Sequence, residues 1–400
     1  MNREFDILVV GGGMVGLVTA LALARNDANN QLRISVVDAG CRPSFSPDQD
    51  VSLRVSAIAS GTATLLARLG AWEAIEQTRA CPYRDMQVWD ATGSVEGPET
   101  LRFDAAEFAV PQLGFIVENA LIQDALLAVI DSTKISVHYE TPIRSVQKCE
   151  NRYVVEYGEG KTITPEILIG ADGASSFVRN SAGITVSAWK YPQTAFVTHL
   201  QPAKSHRNTA WQRFLPDGPV ALLPLSDGRV STVWTTTPEK AKELLNASEG
   251  QLAALLTDAT DSVLGQLAVA GPSGSFPLKS QHADRYVLAG LALAGDAAHA
   301  VHPLAGQGAN LGLADAEELA NVIVQALAAG EHPGDLPVLR RYERVRKVAN
   351  KTMLHFIHGL NRLFSNESTP LARLRGAGMA LFNKSGPIRE YAVQVALGIR

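Results

Sequence analysis

The chain has 400 residues, of which 46% are hydrophobic and 19% charged, so it has ample core for two domains or one elaborate domain, and disorder is not indicated. Its 36 basic and 40 acidic residues give a formal net charge of -4, and the absence of an overall basic field argues against nucleic acid as a partner. The three cysteines are scattered and form no Cys-x-x-Cys pair, which argues against a disulfide framework and a zinc site.

The N-terminus leads directly into an apolar strand pattern, without the basic segment or the small-residue cleavage site of an export signal. The most apolar stretch, residues 287–301, contains Asp296 and His299, and it falls short of the roughly 18 uninterrupted apolar residues of a membrane span. We therefore expect a cytoplasmic protein in a reducing compartment. Peripheral contact with the inner face of the cytoplasmic membrane is compatible with this expectation.

A glycine-rich turn follows the first predicted strand and precedes an alanine- and leucine-rich helix. Gly11, Gly13 and Gly16 have the spacing G-x-G-x-x-G, in which the glycines permit a tight turn, close approach to a pyrophosphate and tight packing of helix on strand. A second strand ends at Asp38, whose carboxylate would accept hydrogen bonds from a ribose diol. Together these features predict a dinucleotide site; the alternative is a glycine-rich turn that binds nothing.

Between residues 43 and 182, the sequence pattern continues to alternate between helices and strands. It predicts helices over residues 61–69 and 119–130, the second with Asn119 as a cap, and strands over residues 86–89, 101–103, 143–146, 152–157 and 167–169, the last three closing a sheet. Arg54 could reach a phosphate or the edge of a flavin, although a lone arginine is more often a solvated surface residue. The last strand delivers Asp172 and Gly173 to the sheet edge where open α/β sheets bind ligands.

Residues 189–234 change to alternating strands with many aromatic side chains, which suggests an antiparallel sheet inserted between the two halves of the cofactor domain. Its inner face would form a lid over an apolar substrate, or the side chains would merely fill the core of the sheet. Helices over residues 239–246 and 249–258 and strands over residues 275–278 and 286–289 then return the chain to the cofactor domain.

An apolar run next ends abruptly at Gly295-Asp296, and a loop rich in small residues leads to residues 306–310 and a helix over residues 311–329. Strand, acid, loop and helix N-terminus suit a ligand with a sugar, an anionic linker and an aromatic ring, so a flavin site is the first hypothesis. His299 and His302 do not have the spacing of a metal motif, and no metal is expected. A further helix over residues 336–348 is predicted to be basic along one side, through Arg340, Arg341, Arg344, Arg346 and Lys347.

Three motifs stand in one order: residues 11–16 with Asp38, Asp172-Gly173 with Arg179, and Gly295-Asp296 followed by residues 303–310. This order resembles the class A flavoprotein monooxygenases, the para-hydroxybenzoate hydroxylase-like family, over most of the chain. Residues 302–313 with Asp315, together with residues 212–219 and 221–225, are more specific and resemble the ubiquinone-biosynthesis hydroxylases.

The resemblance implies an α/β fold in which a Rossmann-like FAD-binding domain carries an inserted antiparallel-sheet substrate domain and C-terminal helices. The expected FAD-binding domain comprises residues 1–75, 105–182 and 280–335, the substrate domain residues 76–104 and 183–279, and the C-terminal helical region residues 336–400. The expected cofactor-binding residues are Gly11, Gly13, Gly16, Asp38, Arg54, Asp172, Gly295, Asp296, Pro303, Gly306, Gln307, Gly308, Ala309 and Asn310.

Within that set, the three glycines would face the FAD pyrophosphate and Asp38 the adenosine ribose, while Asp296 would hold the ribityl chain and residues 306–310 would border the isoalloxazine. Asp172-Gly173 with Arg179 would serve flavin phosphate contacts or the docking of NAD(P)H. No second dinucleotide-binding βαβ unit is visible, so NAD(P)H or another electron donor would visit transiently. No side-chain acid or base is assigned to catalysis.

The implied reaction is hydroxylation of the aromatic ring of a polyprenylated phenol by O2, through a flavin C4a-hydroperoxide. Two alternatives stay open: a flavin hydroxylase of a soluble phenol, and a non-catalytic flavin-binding subunit of a biosynthetic complex. The apolar residues 356–364 and 371–382 are expected either to contact a membrane surface or a lipid-carrying partner, or to pack on the FAD domain or in a homo-oligomer.

Overall fold

A computed structural model describes residues 5–29, 31–301 and 306–364, with short segments at 378–379, 381–383, 385–386, 389–390, 393–394 and 397–398. The strands are β1 (Phe5–Val10), β2 (Leu32–Val37), β3 (Val55–Ala59), β4 (Cys81–Tyr83), β5 (Asp85–Asp90), β6 (Leu101–Asp104), β7 (Gly114–Glu118), β8 (Ser136–His138), β9 (Ile143–Cys149), β10 (Arg152–Tyr157), β11 (Lys161–Ile163), β12 (Ile167–Gly170), β13 (Val186–Pro202), β14 (Thr209–Leu215), β15 (Gly218–Pro224), β16 (Val230–Thr236), β17 (Leu267–Ala283), β18 (Val287–Leu288), β19 (Leu291–Leu293) and β20 (His299–Ala300). The helices are α1 (Met14–Asn26), α2 (Ser60–Arg68), α3 (Trp72–Thr78), α4 (Asn119–Ile130), α5 (Phe177–Ser181), α6 (Pro238–Asn246), α7 (Glu249–Ala259), α8 (Gln307–Ala328) and α9 (Leu336–Phe364), with 3-10 turns at Ala105–Phe108 and Gly295–Ala297.

The first sheet has the order β18-β19-β12-β1-β2-β8, and its strands run parallel except for the β18–β19 hairpin. Its central strands are apolar and buried: α1 packs on β1, β2 and α8, and Tyr153 and Val155 of β10 belong to the same buried cluster. The carboxyl ends of β1, β2, β12 and β19 therefore meet at one edge, which is where the predicted glycine and acidic motifs lie.

The second large sheet has the order β20-β17-β13-β16-β15-β14-β5-β6. Its strands pair antiparallel, as predicted, except that β5 joins β14 in parallel. Helices α6 and α7 cover one face, where Phe196, Leu222 and Trp234 are buried with Leu244 and Leu256. The 17-residue strand β17 spans from the end of α7 back to the cofactor edge, where it pairs with β20.

Several predicted elements differ from the structure. Strands β9 and β10 do not close the main sheet but form a separate three-stranded sheet with β11. Asn119 is the first residue of α4 and does not cap it; its Oδ1 atom accepts a hydrogen bond from Ser56 Oγ at 2.7 Å. Helix α8 begins at Gln307, four residues earlier than predicted, and α9 continues to Phe364. The limits of the domains stay a prediction.

Candidate active site

Each glycine of the first motif has a different local environment. Gly11 has φ +112°, and a Cβ atom there would lie 2.3 Å from the carbonyl oxygen of Ala171 on the neighbouring strand end. A Cβ atom on Gly16 would lie 1.8 Å from the carbonyl oxygen of Gly11, so only glycine lets α1 pack this closely on the turn. Nothing lies within 4 Å of a Cβ atom on Gly13. The open side of the turn is therefore at Gly13, which lines a cavity.

Beside this opening, both the N–H group and the carbonyl oxygen of Gly12 make hydrogen bonds. Its N–H donates to Asp38 Oδ2 at 2.5 Å, and Asp38 Oδ1 accepts from the Gly40 N–H at 2.7 Å. The Tyr139 hydroxyl donates to the Gly12 carbonyl oxygen at 2.9 Å, and burial raises the pKa of Tyr139 to about 12, so it stays a donor. Sequence reasoning missed Tyr139 because only the pairing of β2 with β8 brings it beside the turn.

Two helix N-termini at the cavity present backbone N–H groups of the kind that an anionic cofactor requires. Gly13 and Gly306 occupy the N-cap positions of α1 and α8, and neither helix has a side-chain cap or an acidic residue in its first turn. First-turn N–H groups without such partners attract anions and the electron-rich edge of a ring. With the open space at Gly13, these termini fit a bound FAD.

The acidic residue of the loop lies at the end of β19. Gly295 has φ +60° and starts a 3-10 turn that places Asp296 on the cavity wall, where its side chain is exposed. Although the cavity leaves Asp296 open to solvent, the surrounding protein removes enough water to raise the pKa of its carboxyl group, an effect that Asp315 strengthens and His299 opposes.

A buried polar network supports this loop from below, with Asp315 at its centre. The fully buried Asp315 carboxylate pairs with Arg346 Nε at 2.7 Å and accepts from Asn350 Nδ2 at 2.9 Å, from the Gly295 N–H at 3.1 Å and from His299 Nε2. Burial alone would raise the pKa of Asp315, but His299 and Arg346 outweigh it and hold the pKa at about 2.

The network corrects one expectation. Arg346 does not belong to a solvated basic side of the last helix, because its side chain is only 13% exposed and is engaged with Asp315. His299 is bonded to the same carboxylate, in keeping with a structural role. Among the residues that the structure describes, no cluster of His, Cys, Asp and Glu is arranged to hold a metal ion.

His282 adjoins this network through the Tyr286 hydroxyl, which accepts from Asn350 Nδ2 at 3.4 Å, and it makes the stability of the fold sensitive to pH. Its Nε2 atom lies 3.0 Å from the Tyr286 hydroxyl, and burial, helped by the charge of His299, lowers the pKa of His282 from 6.5 to about 4. A histidine that stays neutral in the folded protein contributes stability at pH values above the pKa that it has in the unfolded chain. That stability is lost as the pH falls from 6.5 to about 4, because the unfolded chain takes up the proton first.

We expect His282→Gln to remove part of the acid destabilisation of the protein. The wild type should lose on the order of 2–3 kcal/mol of unfolding free energy through this one group between pH 6.5 and pH 4. Denaturant unfolding at both ends of that interval measures the difference. Identical pH profiles for wild type and variant would contradict the assignment.

Asp172 and Arg179 are predicted to contact flavin phosphates or NAD(P)H. In the structure, both side chains make hydrogen bonds within the protein. The Asp172 carboxylate accepts from Ser176 Oγ at 2.5 Å and from the N–H groups of Phe177 and Val178, so it holds the start of α5. Arg179 is buried and donates to the carbonyl oxygens of Ala297 and Ala174. These side chains therefore shape the loops around the cavity.

Other predicted residues divide between cavity and support. Asn310 donates to the Ala57 carbonyl oxygen at 2.9 Å and accepts from the Ala59 N–H at 3.0 Å, which fastens α8 to β3. Arg54 is exposed, with its guanidinium over the Phe276 ring at 5.2 Å. Pro303 lies outside the described residues, and Gln307 is the first residue of α8.

The cavity, of about 470 Å³, joins these motifs to the second sheet. On one side it is lined by Gly13, Asp296, Gly306, Gly308 and Ala309. On the other side the sheet contributes Ala210, Gln212, Pro219, Ala221, Leu223, Val233 and Thr235, beside Tyr83 and Met86. The predicted lid therefore faces the predicted cofactor loops across a mostly apolar space of the size that small-molecule sites have.

Comparison with known proteins agrees with this geometry. Residues 4–356 match the family described as FAD binding domain. The chain is 37% identical over 400 residues to 3-demethoxyubiquinol 3-hydroxylase of Escherichia coli (strain K12), and the match covers all of both chains. It is 36% identical to the mitochondrial ubiquinone biosynthesis monooxygenase COQ6 of Homo sapiens, over 99% of this chain and 93% of that one.

Solved structures share the fold. PqsL from Pseudomonas aeruginosa superposes with a TM-score of 0.76 at 22% identity, over 94% of this chain and 99% of that chain. A variant of Klebsiella pneumoniae HpxO complexed with FAD gives a TM-score of 0.75 at 18% identity, over 98% of each chain. At such identities the likeness shows the fold alone, and it confirms the predicted fold class, an α/β fold of the para-hydroxybenzoate hydroxylase type.

Proposed function

The chain belongs to the FAD binding domain family, and we propose that it is a FAD-dependent monooxygenase that hydroxylates the aromatic ring of a polyprenylated phenol in ubiquinone biosynthesis. The cavity carries this proposal, because it places an apolar sheet face directly opposite the loops and helix N-termini that fit FAD. An apolar wall suits an aromatic ring with a hydrocarbon tail better than it suits a charged, soluble phenol.

When bound, reduced FAD supplies the activation of O2, and NAD(P)H or another donor supplies the electrons. The protein's own share is binding, orientation and exclusion of water. In our proposal, the open turn at Gly13 receives the pyrophosphate, Asp38 the adenosine ribose and Asp296 the ribityl chain, while residues 306–309 border the ring. The N-terminus of α8 would favour negative charge on the reduced ring by roughly 1 kcal/mol.

The function is tested by lipid extraction from a strain that lacks the gene, with mass spectrometry of the prenylated phenols. We expect less ubiquinone and accumulation of a phenol one hydroxylation short of the product. Return of the wild-type gene should reverse both changes. A deletion strain with normal ubiquinone and no accumulated intermediate, in a cell without a redundant hydroxylase, would contradict the proposal.

The placement of Asp296 predicts the colour of a variant. We expect Asp296→Ala to be folded but flavin-poor, because a charge-assisted hydrogen bond to the cofactor contributes about 1.5–3 kcal/mol, or roughly 10- to 100-fold in affinity. The visible flavin absorbance per protein after purification measures the loss, and circular dichroism checks the fold. Asp296→Asn, which keeps a hydrogen-bonding side chain, should retain more FAD. Full occupancy in Asp296→Ala would refute the placement.

We also propose that α9 contacts an anionic membrane surface, from which a polyprenylated substrate would enter. Of the described helices, none is long and apolar enough to cross a membrane. On α9, however, Val345, Val348 and Phe356 are 53%, 68% and 57% exposed on one side of the helix, and Arg344 and Lys351 are exposed beside them. Apolar side chains between cations match an interfacial helix.

Not every apolar residue of α9 belongs to this exposed surface. Ile357 and Phe364 are buried in a cluster with Val88, and the Phe364 ring stacks on Phe214 with centroids 4.0 Å apart. These two residues follow the expectation of packing on the protein. Of residues 371–382, which carry the same expectation, the structure describes only 378–379 and 381–382. Met379 is buried in the cluster with Ile357 and Phe364, whereas Leu381 is 71% exposed.

The surface makes a prediction for vesicle binding. The double variant Val348→Asp, Phe356→Asp should cosediment at least tenfold less with vesicles that contain phosphatidylserine. It loses two large apolar side chains and gains two negative charges that the anionic surface repels. Leu245→Asp, a change at an exposed apolar residue of α6, is the matched control. Unchanged vesicle binding with intact flavin content would exclude α9 as the contact.

A further inference from the structure

Gln212 is a polar side chain in an apolar row. On β14, residues 210, 212 and 214 share one face, and its other members are the buried Ala210 and Phe214. The neighbouring strands place Val88 and Ala221 directly beside Gln212. A leucine side chain would suit this position in the apolar face of the sheet. Packing alone therefore does not explain the amide.

The amide of Gln212 has unused hydrogen-bonding capacity. The residue is 6% exposed and lines the cavity, and within the described chain its side-chain oxygen and nitrogen have no hydrogen-bond partner. An amide at the wall of a mostly apolar cavity needs a hydrogen-bond partner, which water or a bound ligand can supply only from the cavity. By contrast, the next residue, Arg213, turns to the opposite face and donates to the carbonyl oxygens of Asp258 and Ala259.

The surroundings restrict what could satisfy that amide. Ala221, Leu223 and Val233 make the adjacent wall apolar, and the loops that fit FAD lie on the opposite side of the same cavity. A ligand that reaches Gln212 therefore lies between the sheet and the cofactor loops. An uncharged amide offers one acceptor and two donors, which matches a neutral ring that carries both a hydroxyl and an ether oxygen.

We propose that the Gln212 amide binds the oxygen substituents of the phenol and thereby selects which ring carbon faces the cofactor. This inference rests on the proposed function and adds a specificity-determining residue to it. Gln212 Oε1 would accept a hydrogen bond from the phenol O–H, and Nε2 would donate one to a second oxygen substituent of the ring. The amide takes up no proton, so it directs the ring without acting as an acid or base.

Two other polar groups of the wall differ from Gln212. Burial raises the pKa of Tyr83 to about 12, so its hydroxyl stays protonated beside the cavity. Thr235 contributes a single hydroxyl from β16, two strands away from β14 and therefore about 10 Å across the sheet. Neither offers the paired donor and acceptor of a planar amide.

The test uses FAD-loaded protein, photoreduced without oxygen, saturated with a short-chain prenylphenol that carries a methoxy group beside its hydroxyl, and mixed with oxygenated buffer. The measured quantities are hydroxylated product and hydrogen peroxide per flavin, with the position of the new hydroxyl group. For Gln212→Leu we expect at least tenfold less product, a matching rise in peroxide, and unchanged flavin content and melting temperature. Gln201→Leu, the same change at an exposed position of β13, should behave as wild type.

Wild-type yield and wild-type regiochemistry in Gln212→Leu would overturn the inference. If Gln212→Leu does not fold, Gln212→Asn is measured, and it should give an intermediate yield with a changed ratio of product isomers. If wild type itself releases only peroxide, the proposed function fails, and the prenylphenol affinity, read from perturbation of the flavin spectrum, decides separately on Gln212. A tenfold weaker affinity in Gln212→Leu supports its role, and an equal affinity overturns it.

Discussion

Asp315→Ala is expected to lower the free energy of unfolding by about 3–5 kcal/mol, because it leaves the buried Arg346 cation without its acid. The same change removes the acceptor of the Gly295 N–H and of His299, so the loop that carries Asp296 should loosen and bind FAD more weakly. Denaturant unfolding of the flavin-free protein measures the first effect. Flavin retention after gel filtration measures the second.

An exposed ion pair provides the control for Asp315→Ala. Asp131 pairs with Arg42 at 2.7 Å, but both side chains are about half exposed, at 57% and 49%. Asp131→Ala should therefore change the unfolding free energy by no more than about 1 kcal/mol. Equal effects of the two substitutions would show that burial of the Asp315 network does not contribute the stability assigned to it.

Gly16→Ala and Gly13→Ala should separate folding from cofactor binding within one motif. The methyl group of Gly16→Ala would collide with the Gly11 carbonyl oxygen, so β1 and α1 must move apart, and we expect a loss of at least about 3 kcal/mol. The methyl group of Gly13→Ala meets no protein atom and should leave the fold intact. It should instead weaken FAD binding by occupying the space proposed for the pyrophosphate.

Thermal unfolding of the flavin-free variants and titration with FAD distinguish the two effects. A Gly13→Ala protein that binds FAD as tightly as wild type would remove the pyrophosphate from this turn. A Gly16→Ala protein with wild-type melting temperature would contradict the packing argument. The comparison is well matched, because the two variants add the same methyl group three residues apart.

The sequence predicts the site best where the chemistry is local. The turn at Gly11–Gly16 and the Gly295-Asp296 loop each join a strand to a helix or turn within a few residues, so spacing alone locates them. Prediction is poorer where a side chain's partner is distant in sequence. Arg346 resembles a surface cation until the fold brings Asp315 beside it, and the hydrogen bonds between the Asn310 amide and β3 are visible only in the fold.

Sheet membership shows the same limit. The patterns of β9 and β10 identify strands correctly, but alternation does not say which neighbour a strand pairs with, and these two pair with β11. The parallel joining of β5 to β14 depends on a contact between chain segments more than a hundred residues apart. Gln212 is visible in the sequence as part of a motif, yet its isolation in an apolar wall appears only when the surrounding strands are in place.

Strand β17 connects the second sheet with the loop that carries Asp296. It pairs with β13 in that sheet, and at its far end Gln281 and His282 pair with Ala300 and His299, only a few residues from the Asp296 turn. A shift of this one strand would therefore reach both the sheet and the Asp296 turn. Any coupling that it carried between ligands on its two sides would have to be equal in both directions.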